Sequence, residues 1–592
     1  NYESPYSEMM WESPDGTKIF GILFANWYNN GNEVPTDKKS AKEYWDDRLK
    51  KVATFASTDE YLLMNGCDHQ PVQADLGKAI EVASELYPDI NFKHSNFPDY
   101  IKAIKEKVPN DLAVVKGELT SQDTDGWSTL INCASSHIYL KQMNRKCESA
   151  LENGAEPVRV LSSVLGQNYP SDELEYSWKK LMQNHPHDSI CCCSVDEVQD
   201  EMATRFNKSK QVADYLVSEG TRYIADKINT KEYEKYKNAL PFVVFNTTGR
   251  KRTSVVSVEI DVTRKSGWLK KCAYDLDEIN VPNYKLIDSA GNSIPFKIED
   301  LGVRFGYDLP KDKFRQPYMA RRVRVTFEAE NISAVGYKTY ALVEGDAEKV
   351  TDTLVSGENC MENDAIRVEI NKNGSLNVTD KASGRTYKGV AYYEETGDLG
   401  NEYMYKMPEG SKAITTQDTV AKIELAEDEP YRAMYKITNT ITVPKSGDDN
   451  FEDEKRHMVF FKERVGGRSN DTVEMKIETF VSLDKNGKGV KIKTRFDNEV
   501  KDHRVRIMVP TGINSDVHKA DSVFEVVTRN NRHNAGWNNP SGCEHEQGFV
   551  SIDDGEKGIA VANIGLYEYE MLPDLDNTIA VTILRAVGEM GD

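Results

Sequence analysis

Two hydrophobic periods divide the chain near residue 235. Before it, apolar positions recur mostly at helical spacing; after it they alternate or run at strand length almost to the end. Residues 7–11 and 18–23 predict strands on either side of the turn Ser13-Pro14-Asp15-Gly16. Residues 39–56 predict an amphipathic helix with Ala41, Tyr44, Trp45, Leu49 and Val52 on one face. A short apolar run, 61–64, predicts a buried strand; helices follow at 72–86 and 97–108, and another strand at 112–115. That alternation predicts an α/β domain over residues 1–115.

Residues 129–230 carry a helical pattern throughout. Ser171 before Asp172 and Glu173 predicts a helix start, followed by Leu174, Trp178, Leu181 and Met182. Ser194 with Glu197 predicts a capping box ahead of a core face of Val195, Val198, Met202 and Phe206. Residues 116–235 thus predict a three-helix bundle. From 236 to 592, strand patterns at 241–246, 254–260, 323–327, 366–370 and 578–584 predict packed β-sandwiches. Turn signals such as Asn371-Lys372-Asn373-Gly374 separate them, and the acidic stretch 445–455 predicts a solvated loop. The fold class expected is multidomain: α/β, then a three-helix bundle, then a large all-β sandwich region.

Composition narrows the function. A net charge of −21 spread along 592 residues disfavours nucleic acid and anionic membrane as partners and is compatible with a neutral sugar. No apolar run approaches the ~20 residues of a membrane span. Nine cysteines without a Cys-x-x-Cys pair predict free thiols, as in a reducing cytoplasm. The chain starts on Asn1 without an initiating Met and stops just after an apolar run, so a longer polypeptide is expected.

Candidate chemistry gathers in three places. Gln183-Asn184-His185-Pro186-His187-Asp188-Ser189-Ile190 closes one helical segment and opens another. A neutral imidazole there can ligate zinc, and the adjacent carboxylate can bind metal or sugar hydroxyls; the competing reading is a helix-end histidine bonded locally. Asn65-Gly66-Cys67-Asp68-His69-Gln70 follows an apolar run as ligand loops do in α/β domains, or else caps the next helix. Between 116 and 127, Glu118, Asp123, Asp125 and Trp127 combine carboxylates with an aromatic face that suits a pyranose ring, or are solvated loop residues.

The string from Leu181 to Cys191 resembles the zinc-site segment of glycoside hydrolase family 38, the retaining α-mannosidases. The resemblance implies that His187 is a zinc ligand (another divalent metal being the alternative) and that Asp188 contacts mannose hydroxyls. Gly66-Cys67-Asp68 resembles the family loop whose Asp is the general acid/base, which makes Asp68 the first candidate and Asp125 the second, with Asp123 and Glu118 behind. His69 lies beside the substrate in that reading, and Asp398-Leu399-Gly400-Asn401-Glu402-Tyr403 resembles the β-domain loop that brings a Tyr to the sugar. Residues 132–144 and 563–570 also resemble family segments. The sequence departs from the pattern twice. Cys192 stands where similar bacterial sequences have Gly, and no histidine precedes His69, so the family's early His-x-Asp motif is absent.

The resemblance implies a zinc-dependent retaining α-mannosidase cleaving terminal α-mannosidic bonds of oligosaccharides, with the missing ligands and nucleophile on an N-terminal segment of the intact enzyme or on a partner chain. The competing classes are a non-catalytic carbohydrate-binding or assembly protein on the same fold, and a glycosidase for another sugar. Homo-oligomerisation stays open.

Overall fold

The computed structural model describes residues 4–119, 129–310, 312–348, 350–537 and 540–588. The chain divides into two compact units, Asn1–Thr124 and Asp125–Asp592.

In the first unit β1 (Glu8–Glu12) pairs antiparallel with β2 (Lys18–Ile22) and parallel with β3 (Val114–Lys116). A parallel pair needs a long crossover. Here it runs through α1 (Lys38–Phe55), α2 (Leu76–Leu86) and α3 (Phe97–Lys105). Asp37 caps α1 by accepting from Ser40 N at 2.9 Å, and Ala41, Trp45 and Val52 fall on its buried face. Trp45 packs on Phe92 and on the Ala79, Val82 and Ala83 face of α2.

Two expectations fail here. Helix α2 begins at Leu76 rather than 72, behind Asp75. Residues 61–64 form no strand. Their backbone is held instead by the Asn30 side chain, which donates to Leu62 O at 3.0 Å and accepts from Met64 N at 2.7 Å, and by Gly31 N, which donates to Met64 O. A side chain has replaced the neighbouring strand.

The second unit opens with helices α4 (Ile138–Ala150), α5 (Glu156–Val164), α6 (Ser171–Met182), α7 (His187–Ile190) and α8 (Asp196–Ala225). A π turn, Leu151–Ala155, joins α4 to α5 ahead of Pro157, which has no N–H to offer the regular ladder. Helices α4, α5 and α6 all pack on α8, whose buried Met202, Phe206, Ala213, Leu216, Gly220 and Ile224 recur every three to seven residues on one face. Gly220 permits the approach of α5, since a Cβ there would meet Val158 Cγ1 at 2.6 Å.

Neither expected cap forms. Ser171 is the first residue of α6, behind Pro170, and α8 follows Val195 with no side-chain cap. The Ser194 hydroxyl donates to Asp188 O at 2.6 Å instead; the preceding turn has taken it.

From Leu240 onward all described strands pair antiparallel. The sheets containing Leu240–Asn246 and Gln316–Ile332 enclose Phe242, Phe327 and Tyr340, the last two with rings 4.8 Å apart. Further on, Arg432–Pro444 buries alternate residues Ala433, Tyr435, Ile437, Asn439, Ile441 and Val443, the period of a strand with one covered face. The stretch 445–455 is no solvated loop: it contains helix Asp449–Arg456, capped by Asp448 and with Phe451 buried. Buried Glu454 accepts from Val465 N and Gly466 N, so its charge is spent on orphan backbone donors. No described helix is long and apolar enough to cross a membrane.

Candidate functional site

Helix α6 ends at Met182, and Pro186 marks a break before the single turn α7. His187 opens that turn with its side chain 90% exposed, its Nε2 lying 3.4 Å from Asp188 Oδ1. The preceding histidine, His185, has a different job. It meets Asn144 Oδ1 at 2.8 Å and burial lowers its pKa, so His185 ties the break to α4 while His187 faces outward.

The end of α7 is fastened from below. Lys141 on α4, 3% exposed, donates from Nζ to Ile190 O at 2.7 Å and lies 3.3 Å from Cys192 Sγ. A cation at a helix C-terminus is favourable because unpaired carbonyls gather there. Cys192 adopts φ 64°, the left-handed conformation that Gly takes cheaply and Cys does not. Its buried thiol beside Lys141 and in the α4–α8 core accounts for a side chain at that position.

The three consecutive cysteines diverge. Cys192 points to Lys141. Cys191 and Cys133 act on each other, which holds the Cys191 thiol below the usual range and pushes Cys133 up. Cys193 Sγ lies 3.6 Å from Asp188 O and 3.9 Å from Asp188 Oδ1; burial raises the pKa of its thiol, and the neighbouring Tyr403 opposes that rise. Cys193 is thus a neighbour of two expected sugar contacts, Asp188 and Tyr403. All nine cysteines are free.

The Tyr403 loop is fixed by a buried polar network. Asn401 Oδ1 accepts from Tyr403 N and Met404 N, both at 3.0 Å. Asp398 pairs with Arg585, neither side chain exposed, and Arg585 also donates to Asn401 O and to Asn132 O. Asn132, in the helical turn Ile131–Ser135, donates from its backbone to Tyr403 O and from its side chain to Glu568. Helical and β segments are thereby bound together under Tyr403.

In the first unit Asp68 is exposed on the loop after residue 64, next to His69, which adopts φ 58°. Tyr28 donates to Asp68 Oδ2 at 2.8 Å, and that bond raises the tyrosine's pKa. Trp27 stacks on Tyr28 at 5.2 Å and is 63% exposed. An acid beside an open aromatic face is an arrangement suited to a sugar ring. Sequence reasoning missed both aromatics, although the pair Trp27-Tyr28 inside the Asn-rich run Asn26 to Asn32 was a signal for them. Glu118 is half-buried. Asp123, Asp125 and Trp127 lie outside the described residues.

A neutral imidazole and a carboxylate at His187 and Asp188 suit zinc in donor type. Among the described residues no group of three or more His, Cys, Asp or Glu side chains is arranged to hold a metal, so these two supply at most part of a donor set.

Comparison with known proteins places the whole chain. Residues 2–128 match the glycosyl hydrolases family 38 N-terminal domain, 128–224 the α-mannosidase middle domain, 237–344 the family 38 C-terminal domain 1, and 361–589 the family 38 C-terminal domain. A putative mannosylglycerate hydrolase of Halalkalibacterium halodurans is 43% identical across the full chain, which spans 66% of that relative's length. An α-mannosidase structure from Enterococcus faecalis superposes with a TM-score of 0.96 at 45% identity, covering 100% of this chain and 67% of that one. A second E. faecalis structure, of a glycosyl hydrolase family 38 protein, gives 0.88 at 40% identity, covering 99% of this chain and 66% of that one. With four consecutive domain matches and such similarity along its entire length, the chain belongs to glycoside hydrolase family 38.

Proposed function

We propose that the protein acts as a zinc-dependent retaining α-mannosidase on terminal α-mannosidic bonds. The observation that carries this reading is the α7 turn. It presents His187 to solvent beside Asp188, while Lys141 and Ser194 hold its backbone and Cys193 packs against Asp188. In this reading residues 1–115 form the α/β region, 116–235 a three-helix bundle and 236–592 the β-sandwiches. Free thiols support placing the protein in the cytoplasm.

His187 would hold the metal, with Asp188 and Tyr403 on the sugar's hydroxyls. Bound zinc would supply a fixed positive charge that orients those hydroxyls. Tight binding takes three or four protein ligands, so the proposal requires donors beyond His187 and Asp188, outside the described residues. Asp68 would give its proton to the leaving oxygen and later withdraw one from water, and Tyr28 would orient its carboxyl group. Retention needs a second carboxyl group as nucleophile about 5 Å away. Asp125, Asp123 and Glu118 remain the alternative acids, and His69 would line the substrate beside Asp68.

The name of the Halalkalibacterium relative favours mannosylglycerate as a second substrate beside mannose-terminated oligosaccharides. The test is a panel of aryl α- and β-glycosides plus both candidate substrates, assayed with and without a zinc chelator. Chelator-sensitive release from α-mannosides alone supports the reading. Chelator-insensitive turnover, or a preference for another sugar, refutes it; folded protein that binds mannosides without cleaving them establishes the carbohydrate-binding alternative.

A further inference from the structure

The second unit contains a cavity of about 380 Å³ that shares no lining residue with the α7 turn. Two guanidinium groups reach it, and they are satisfied very differently. Arg506 donates to Glu394 and to Glu570. Among the described residues Arg504 makes no hydrogen bond to a carboxylate, although it is only 4% exposed; Tyr405, Cys543, Glu570 and Glu568 around it raise its pKa against burial. Its guanidinium carbon lies 3.5 Å over the centre of the Tyr405 ring, Nη1 is 3.4 Å from Cys543 Sγ, and Nε has no hydrogen-bond partner.

The neighbouring acids are committed elsewhere. Glu394 Oε1 and Glu570 Oε2 accept from Arg506, while Glu568 accepts from Asn132, Ser135 and Thr582. Burial raises the Cys543 pKa to about 12, so that thiol is neutral and offers Arg504 no counter-charge. A guanidinium stays protonated, and here the nearby carboxylates favour its charge without hydrogen bonding it, so its donors are not all satisfied. Tyr405 holds its face and Cys543 lies at Nη1, which leaves the remaining guanidinium donors for a molecule that enters the cavity. A guanidinium pairs well with the two oxygens of a carboxylate. Glu394 and Glu570 on the same wall repel a dianion such as phosphate and can accept from hydroxyl groups.

We propose that this cavity, next to the Tyr403 loop and apart from the α7 turn, binds a small hydroxycarboxylate, with Arg504 pairing its carboxylate group.

The proposal stands independently of the metal reading. The test is calorimetric titration of the purified full chain with D-glycerate, beside glycerol and inorganic phosphate. Glycerate should bind at one equivalent, with glycerol and phosphate weaker by about tenfold or more. Arg504→Met should weaken glycerate binding by about tenfold or more, and His187→Ala should leave it unchanged. Since Arg504→Met alters a buried charge, a second variant, Ala413→Trp on the exposed rim, should block the cavity without touching the core. No glycerate binding by folded wild-type protein overturns the proposal. So does binding that both cavity variants retain, or binding lost in His187→Ala, which would move the carboxylate to the catalytic region.

Discussion

Replacing Arg585 by Met tests the network under Tyr403. Arg585 and Asp398 are a buried pair with no exposed side-chain surface, and Arg585 also donates to Asn132 O at 3.2 Å, Asn401 O at 2.7 Å and Met404 O at 3.3 Å. Met preserves the apolar stem and removes every one of those bonds. Asp398 keeps Gly400 N and Lys406 N but loses its cation. Breaking a buried pair by removing one member costs about 3–5 kcal/mol. The carbonyls left unpaired would each cost about 1–3 kcal/mol in isolation, but the loop can relax, so about 4–5 kcal/mol in all is expected. Urea-dependent hydrogen exchange read by peptide across residues 398–404 and 131–135 measures that loss locally, where a global unfolding signal would mix the two units. Combining Arg585→Met with Asp398→Asn should destabilise by clearly less than the sum of the single changes, because the stranded charge is gone. A loss below about 1 kcal/mol at 398–404, the range of an exposed pair, or full additivity in the double variant, would refute the reasoning.

Other expectations rest on separate parts of the structure. Gly565 adopts φ 73°, and a Cβ there would lie 2.7 Å from Gln142 Cα, so Gly565→Ala should destabilise the second unit by about 2 kcal/mol in urea titration. Lys141→Met should lower metal affinity by about tenfold without changing the ligands, measured by competition with a zinc chelator; unchanged affinity would mean that α7 holds its shape alone. Burial raises Glu546 from 4.5 to about 8, against a hydrogen bond from Asn563. Between those values the folded state holds a proton that the unfolded state has released, so this residue's contribution to stability falls as pH rises from about 4.5 to 8. Glu546→Gln should flatten that fall in a series of unfolding curves.

Much of the fold was legible because local pattern and tertiary environment agree. The strand expected at 366–370 is Ile366–Ile370, where alternate Ile366, Val368 and Ile370 are buried. Helix α1 follows its apolar face to within a residue at each end. Strand Tyr392–Gly397 was not legible. It reads YYEETG, yet every residue is buried, because Arg506 reaches Glu394 while Arg468 and His503 reach Glu395. Those partners come from tens of residues away, and nothing near the two glutamates announces them.

The candidate site divides in the same way. The α7 residues were readable as a local string, and the structure adds their supports: Lys141 from α4, Asn144 on His185, and the Ser194 hydroxyl diverted from its expected cap. The departure at Cys192 put the turn geometry in question, and the structure keeps the left-handed backbone there, φ 64°, with Cys in place of Gly. Tyr28 meets Asp68 across 40 residues, a separation that periodicity does not bridge. The strand expected before Asp68 failed for a related reason, since the Asn30 side chain that replaces its neighbour lies more than 30 positions away.

The most direct test of the central claim is zinc content and α-mannoside turnover, measured on wild-type protein and on His187→Ala in the same preparations. His187 is almost fully exposed and carries no packing, so the substitution should leave thermal unfolding of the metal-free protein unchanged while both bound zinc and turnover are lost. A variant that keeps its zinc and its α-mannosidase activity would show that His187 is a surface histidine and that the metal site lies elsewhere.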